Sequence, residues 1–174
     1  MEGFRGDKLA EHLGHRMDVV QSNISVSSRG TVRGIHFADV PPSQAKYITV
    51  LSGSIIDFIV DIRVGSPTFG QWESVVLDTS ERKAVYLAEG LGHAFCALED
   101  DSTAMYLCSA PYTPEREHGI NPLDTTVGLT LPDDIEPLLS PKDEAAPSLA
   151  QAEASGLLPR YDDCVRFYDS LRSA

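Results

Sequence analysis

The chain has 174 residues, 42% of them hydrophobic and 23% charged, with a formal net charge of −12. That length suits one domain with its own hydrophobic core, and the acidic balance argues against a nucleic-acid partner, which needs a basic surface. No run of about 18 apolar residues and no signal-type N-terminal core is present, so no membrane association is expected; with Cys96, Cys108 and Cys164 odd in number and lacking metal-type spacing, a reducing cytoplasm is the expected setting.

Phe4, Leu9, Leu13 and Met17 recur at roughly helical spacing, which predicts a short helix within residues 1–18 carrying His12 and His15 on its solvated side. Asp18 to Ser28 alternates, with Val20, Ser22, Ile24 and Val26 on one face and Val19, Gln21, Asn23 and Ser25 on the other. This is a strand with one polar face, which meets solvent or lines a wet pocket. After a turn at Ser27 to Gly30, Thr31 to Phe37 reads as a second strand. Strict alternation sends Arg33 and His36 to opposite faces, unless Gly34 introduces a bulge or a close backbone approach. Pro41 and Pro42 end this strand.

Lys46 to Val50 and the strongly apolar Ile55 to Ile62 read as strands, the latter placing Asp57 and Asp61 on one face. A loop at Gly65 to Gly70 precedes two further strands, Trp72 to Leu77 and Lys83 to Leu87. His93 to Leu98 and Ala104 to Ser109 form a hairpin around Glu99 to Ser102. Cys96 and Cys108 lie in these apolar runs as buried thiols, and Trp72 is assigned to core or rim. Short strands at close spacing, without a βαβ rhythm, predict an all-β sandwich or barrel spanning about 18–112. Residues 113–147, rich in proline and acidic side chains, are expected to form an arm packed on the barrel. Residues 148–174 carry two short helices, near 148–158 and 162–171. The whole is read as a single domain, 1–174.

Neither His36 nor His93 has a second histidine and a carboxylate at the spacing of a metal-binding barrel, so no metal is expected. A P-loop, a dinucleotide-type glycine turn and a Gly-x-Ser-x-Gly elbow are absent. Acid–base chemistry remains. His36 is the candidate base, because a histidine titrates near about 6.5. Tyr106 is the candidate acid toward a basic carbanion or enolate. Lys46 or Arg33 would stabilise the developing oxyanion. From spacing alone, His36 as a hydrogen-bonded core histidine and Tyr106 as a core aromatic is the commoner reading.

Five ordered segments carry a further reading: Arg33-Gly-Ile-His36, Pro41-Pro-Ser-Gln-Ala-Lys46, Asp61-Ile-Arg-Val-Gly-Ser-Pro-Thr-Phe-Gly70, Glu89-Gly-Leu-Gly-His-Ala-Phe95 and Tyr106-Leu-Cys-Ser-Ala-Pro-Tyr112. Together they resemble the dTDP-4-dehydrorhamnose 3,5-epimerase family. The resemblance implies a jelly-roll, cupin-like β-barrel with short C-terminal helices, a homodimer, and no metal or organic cofactor. It implies that His36 removes the protons at carbons 5 and 3 of a dTDP-linked 4-keto-6-deoxyhexose and that Asp143, in Ser140-Pro-Lys-Asp143, orients this histidine. It further implies that Lys46 stabilises the enolate and Tyr106 reprotonates from the opposite face. Arg33 and Lys142 match the diphosphate or sugar side, Gln21 and Asn23 the wet face, and Tyr112 thymine stacking with Glu117 nearby. His93 matches a pocket histidine, and Asp57 or Asp61 supports the site from behind. The family's N-terminal Asp-x-Arg-Gly-x-Phe segment has no match here, since Phe4-Arg-Gly-Asp7 differs in order; an unpaired sheet edge is the expected result.

The expectation is therefore an epimerase of deoxysugar or antibiotic-sugar biosynthesis. A single-centre 3- or 5-epimerase and a 3,4-ketoisomerase are the enzymatic alternatives. A nucleotide-sugar binding protein is the non-catalytic one.

Overall fold

The computed structural model describes residues 2–173. Two antiparallel sheets form a jelly-roll barrel. The first has the order β1 (Gln21–Ser27), β8 (Ser102–Cys108), β3 (Lys46–Ser52), β6 (Ala84–Leu87). The second runs β10 (Leu138–Leu139), β2 (Thr31–Ala38), β7 (Gly92–Ala97), β4 (Ser54–Val60), β5 (Trp72–Asp78), with β9 (Glu117–Gly119) also paired to β2. Among the described residues there are four α-helices, α1 (Gly6–Leu13), α2 (Pro141–Glu144), α3 (Leu149–Ala154) and α4 (Tyr161–Arg172), and a 3₁₀ turn at Pro114–Arg116. The expected barrel, first helix and two C-terminal helices are all present.

Alternation sorts the second sheet into two apolar layers. Ile55 and Phe95 point into the barrel and pack with Ile48, Val50, Leu77 and Leu87 of other strands. Phe58, Val60, Ala94 and Cys96 point outward. The arm covers that outer layer with Ile120, Val127 and Ile135, and α3 adds Leu149. Trp72 seals the edge, its ring 5.5 Å from Phe58 and its Nε1 donating to the Val127 carbonyl at 3.1 Å. α3 starts where a capping box closes it: Ser148 accepts from the Gln151 amide, and the Gln151 side chain accepts from the Ser148 amide.

One sequence expectation is extended and another is corrected. The arm is not merely packed on the barrel. It contributes β9 antiparallel and β10 parallel to β2, which local patterning of two- and three-residue strands does not reveal. β4 ends at Val60 rather than Ile62, so Asp61 leaves the face it would have shared with Asp57. Asp61 instead organises the following loop, accepting from Arg63 Nη2 at 2.8 Å, Ser66 Oγ at 2.5 Å and Thr68 Oγ1 at 2.7 Å. Its side-chain partners therefore lie in the loop.

Candidate active site

The strand β2 decides the site. Its register against β7 shifts between Arg33 and His36, so the strand bulges at Gly34. Gly34 has φ +114°, and a Cβ there would lie 2.3 Å from the His93 carbonyl oxygen. The bulge turns Arg33 and His36 into one cavity although they are three residues apart. Both cavities described here share Arg33, His36, Lys46 and Tyr106. An outer one of about 290 Å³ opens beside Tyr112 and Lys142, and an inner one of about 420 Å³ runs from His93 and Phe95 out to Ile24 and Val26 on β1.

α2 brings the carboxylate. Ser140 caps this single turn by accepting from the Asp143 amide at 3.1 Å and donates its hydroxyl to Asp143 Oδ2 at 2.9 Å. Asp143 Oδ1 lies 2.7 Å from His36 Nε2. An ionised carboxylate only accepts, so Nε2 carries the proton and Nδ1 of the neutral ring holds the lone pair. Burial alone would push the Asp143 carboxyl up. The hydrogen bonds from His36 and Ser140 outweigh it and hold Asp143 below the usual carboxylate range. The His36 side chain is 35% exposed and Asp143 only 6%. The pair thus presents an accessible acceptor on a buried anchor.

Lys46 opens β3 and is 8% exposed. Tyr106 lies on β8 between Asn23 and Ile48 in the sheet register, and Lys46 Nζ sits 6.0 Å from its ring centroid. Burial pushes the Lys46 ammonium down, against the opposing pull of Cys108, Glu117 and Asp57. Burial pushes the Tyr106 phenol up, with Cys108 adding to the shift and Arg33 opposing it. These opposite shifts predict the form of a pH profile. The alkaline fall in rate should report proton loss from Lys46, below the usual lysine range, while Tyr106 stays protonated. A lysine that holds its proton less tightly when folded makes stability rise with pH, from its folded value up to about 10.4. The rate should therefore fall with the fold intact, and circular dichroism recorded along the rate profile checks this. A rate loss that tracks unfolding would contradict it.

The polar face of β1 lines the wet pocket, as one of the two sequence readings had it. Gln21 Nε2 donates to Asn23 Oδ1 at 3.0 Å, and Gln21 Oε1 accepts from the Tyr112 amide at 2.9 Å. Tyr112 stands half exposed at the rim, and Lys142 lines the mouth from α2. Glu117 accepts from Gln44 Nε2 and from the Thr113 amide, both at 3.4 Å. His93 reaches only the inner cavity, where Asp57 Oδ2 accepts from its Nε2 at 2.7 Å. Cys108 is buried under Lys46, with its thiol pushed up by burial.

Three lining residues were not assigned roles from sequence: Gln44, Ser140 and His118. Ser140 had a usable signal, because Ser-x-x-Asp at a helix start is a capping pattern. His118 is held by Asp39 at 2.8 Å and packs on Phe37, contacts that depend on the β9–β2 pairing. Among the described residues, no group of three or more histidines, cysteines or acids is placed to hold a metal ion. No helix among them is long and apolar enough to cross a membrane.

A barrel cavity that sets an anchored histidine, a buried lysine and a phenol around one space has the groups for moving protons next to a carbonyl, the chemistry of an isomerase. The chain belongs to the dTDP-4-dehydrorhamnose 3,5-epimerase family, whose model matches residues 1–151. It is 56% identical over 171 residues to the dTDP-4-dehydrorhamnose 3,5-epimerase of Mycolicibacterium smegmatis, covering 98% of this chain and 84% of that one. Among solved structures, it superimposes with TM-score 0.97 and 51% identity on a 3'-monoepimerase from Streptomyces bikiniensis in complex with dTDP-quinovose, covering 99% of this chain and 87% of that one. The rmlC epimerase of Mycobacterium tuberculosis gives TM-score 0.95 and 52% identity over 98% and 86% of the two chains.

Proposed function

We propose that this protein epimerises a dTDP-linked 4-keto-6-deoxyhexose at carbon 3, carbon 5 or both, in deoxysugar biosynthesis. The observation that carries the reading is the 2.7 Å bond between His36 and Asp143 at a cavity that also presents Lys46 and Tyr106. His36 Nδ1 takes a proton from the carbon beside the keto group. The electron pair moves onto the keto oxygen, where the Lys46 ammonium meets the enolate. Tyr106 returns a proton from the opposite face, and the configuration inverts. Arg33 and Lys142 offer cationic partners for the diphosphate, and Tyr112 a ring for the base. Asn23, Gln21 and Glu117 provide the polar lining that orients the sugar and nucleotide.

The test is incubation with dTDP-4-keto-6-deoxyglucose in heavy water, with deuterium counted by mass spectrometry and located by NMR. Label at carbons 3 and 5 marks a 3,5-epimerase. Label at carbon 3 alone marks a single-centre enzyme, the activity named for the Streptomyces bikiniensis relative. No label, with dTDP still bound, would overturn the catalytic reading in favour of a binding protein. Tyr106→Phe should separate the two halves of the reaction. Exchange on the His36 face should persist within about tenfold, while inversion falls about 10²–10⁴-fold for loss of a positioned acid. NMR of recovered sugar would then show deuterium with retained configuration.

The proposed setting is cytoplasmic, and the proposed assembly is a homodimer. Ile24 and Val26 stand more than half exposed along β1, an edge strand of the first sheet, and Val20 does so just before it. An apolar stripe on a sheet edge is a pairing surface. Light scattering of the purified protein measures the assembly, and a monomer at micromolar concentration would overturn this part.

A further inference from the structure

A buried acid outside the reaction cavities has no task in the proposed reaction. Glu89 stands shortly before β7 and is 5% exposed. A carboxylate so placed costs free energy unless its oxygens are satisfied. The Tyr86 hydroxyl donates to Oε2 at 3.5 Å, the outer limit of a hydrogen bond. The Tyr168 hydroxyl lies close by but spends its proton on the Glu89 carbonyl at 2.8 Å. Among the described residues, no ion pair includes Glu89. Tyr86, Tyr168 and Cys164 face it from β6 and α4; burial raises all three, so they hold their protons and supply no positive charge. His15 acts on it from the chain before β1, with Nδ1 engaged by the Arg16 carbonyl at 3.1 Å. Burial prevails over these contacts and pushes the Glu89 carboxyl up.

Glu89 lines a cavity of about 240 Å³ between the chain before β1 and α4. Ser43 lines it too, 6% exposed, and its Oγ has no hydrogen-bond partner among the described residues. Met17, Pro42, Phe167 and Leu171 give the cavity an apolar wall. It shares no lining residue with the two cavities around His36. Charge, donors and size define an occupant. One buried carboxylate matches a single positive charge, and among the described residues no group of three or more histidines, cysteines or acids is placed for a metal ion. Carboxylate and hydroxyl oxygens call for N–H donors. The volume is the liquid share of about eight waters, more than a bare ion fills, and the apolar wall suits a short carbon chain. We infer that this cavity is a binding site for a small primary ammonium compound, with Glu89 as its anion, the Ser43 and Tyr86 oxygens as further acceptors, and Phe167 and Leu171 against its carbon chain. At the rim, Arg16 and Asp18 are both exposed and opposite in sign, so their charges largely cancel for an approaching cation. An ammonium held here supplies the charge-assisted donors that the protein's own groups leave missing around Glu89.

The probe is n-propylammonium chloride, added to the substrate-free protein. It should bind with a Kd on the order of 1 mM, as suits a ligand of four heavy atoms. Nuclear Overhauser contacts should join the propyl chain to the Met17 and Leu171 methyls. 1-Propanol, which lacks the charge, and tetramethylammonium, which lacks N–H, should bind at least about tenfold more weakly. Glu89→Gln keeps the shape and removes the charge. It should stay folded by circular dichroism and lose about tenfold or more in propylammonium affinity.

No saturable binding below about 50 mM would overturn the inference, as would contacts that avoid Met17 and Leu171, or equal binding of either control. So would a folded Glu89→Gln protein of unchanged affinity. Should that variant not fold, the wild-type contacts and the two controls decide. None of these measurements needs the keto sugar, so the ammonium site stands or falls independently of the epimerase reading.

Discussion

Replacing His36 by alanine is expected to stop deuterium from entering the keto sugar, lowering the exchange rate by about 10²–10⁴-fold, the usual contribution of a positioned base. The fold should survive. The His36 side chain is about one-third exposed, and its one side-chain partner, Asp143, keeps the Ser140 hydroxyl and lies at a helix start that tolerates negative charge. The lost hydrogen bond costs about 1–3 kcal/mol, within the usual margin of about 5–15 kcal/mol. Mass spectrometry of the recovered sugar gives the rate, and thermal unfolding gives the stability. Exchange retained in the variant would move the base elsewhere, with His93 the rival. Accessibility separates the two. His93 is 8% exposed in its side chain and confined to the inner cavity, whereas His36 reaches both.

Gly34→Ala carries the second large effect, this time on folding. The position has φ +114°, outside the range that side chains adopt at low cost. The added Cβ would lie 2.3 Å from the His93 carbonyl oxygen and 2.8 Å from the Ala94 Cα. Both are backbone atoms of the paired strand, so neither swings aside. Backbone strain of about 1–3 kcal/mol and overpacking of about 1–3 kcal/mol together predict a loss of about 2–6 kcal/mol, read from denaturant midpoints. Any protein that folds should relieve the clash by undoing the bulge, which turns His36 or Arg33 out of the cavity. Activity should therefore fall with stability. A stable and active Gly34→Ala variant would show that the bulge does not place these two side chains.

How far the sequence revealed this arrangement varied with the range of the interaction. Alternating and helical patterns located eight barrel strands and three helices to within a few residues, because those periods are local. Gly34 marked β2 as a strand able to bulge, and the bulge does bring Arg33 and His36 together. Pairing across the chain was not legible. The approach of Asp143 to His36 spans 107 residues and depends on α2, a single turn without helical periodicity. Asp143 was singled out only through the family resemblance. Asp57 and Asp61 looked equivalent because four residues separate them, yet the strand ends between them. His118 acquired its neighbours from a three-residue strand that no local pattern announces.

β1 has two faces, and they serve different masters. Gln21 and Asn23 form part of the outer cavity's wall, while the alternating Ile24 and Val26, more than half exposed, border the other cavity at its open side. A seven-residue edge strand has little room to hold one face still while the other moves. Whatever grips the outer stripe also stiffens the wall against which the sugar is held. If the gripping surface is a second copy of the chain, turnover per molecule becomes a function of protein concentration: it rises toward a plateau as the stripe is covered and falls on dilution, with the half-point near the dissociation constant of the dimer.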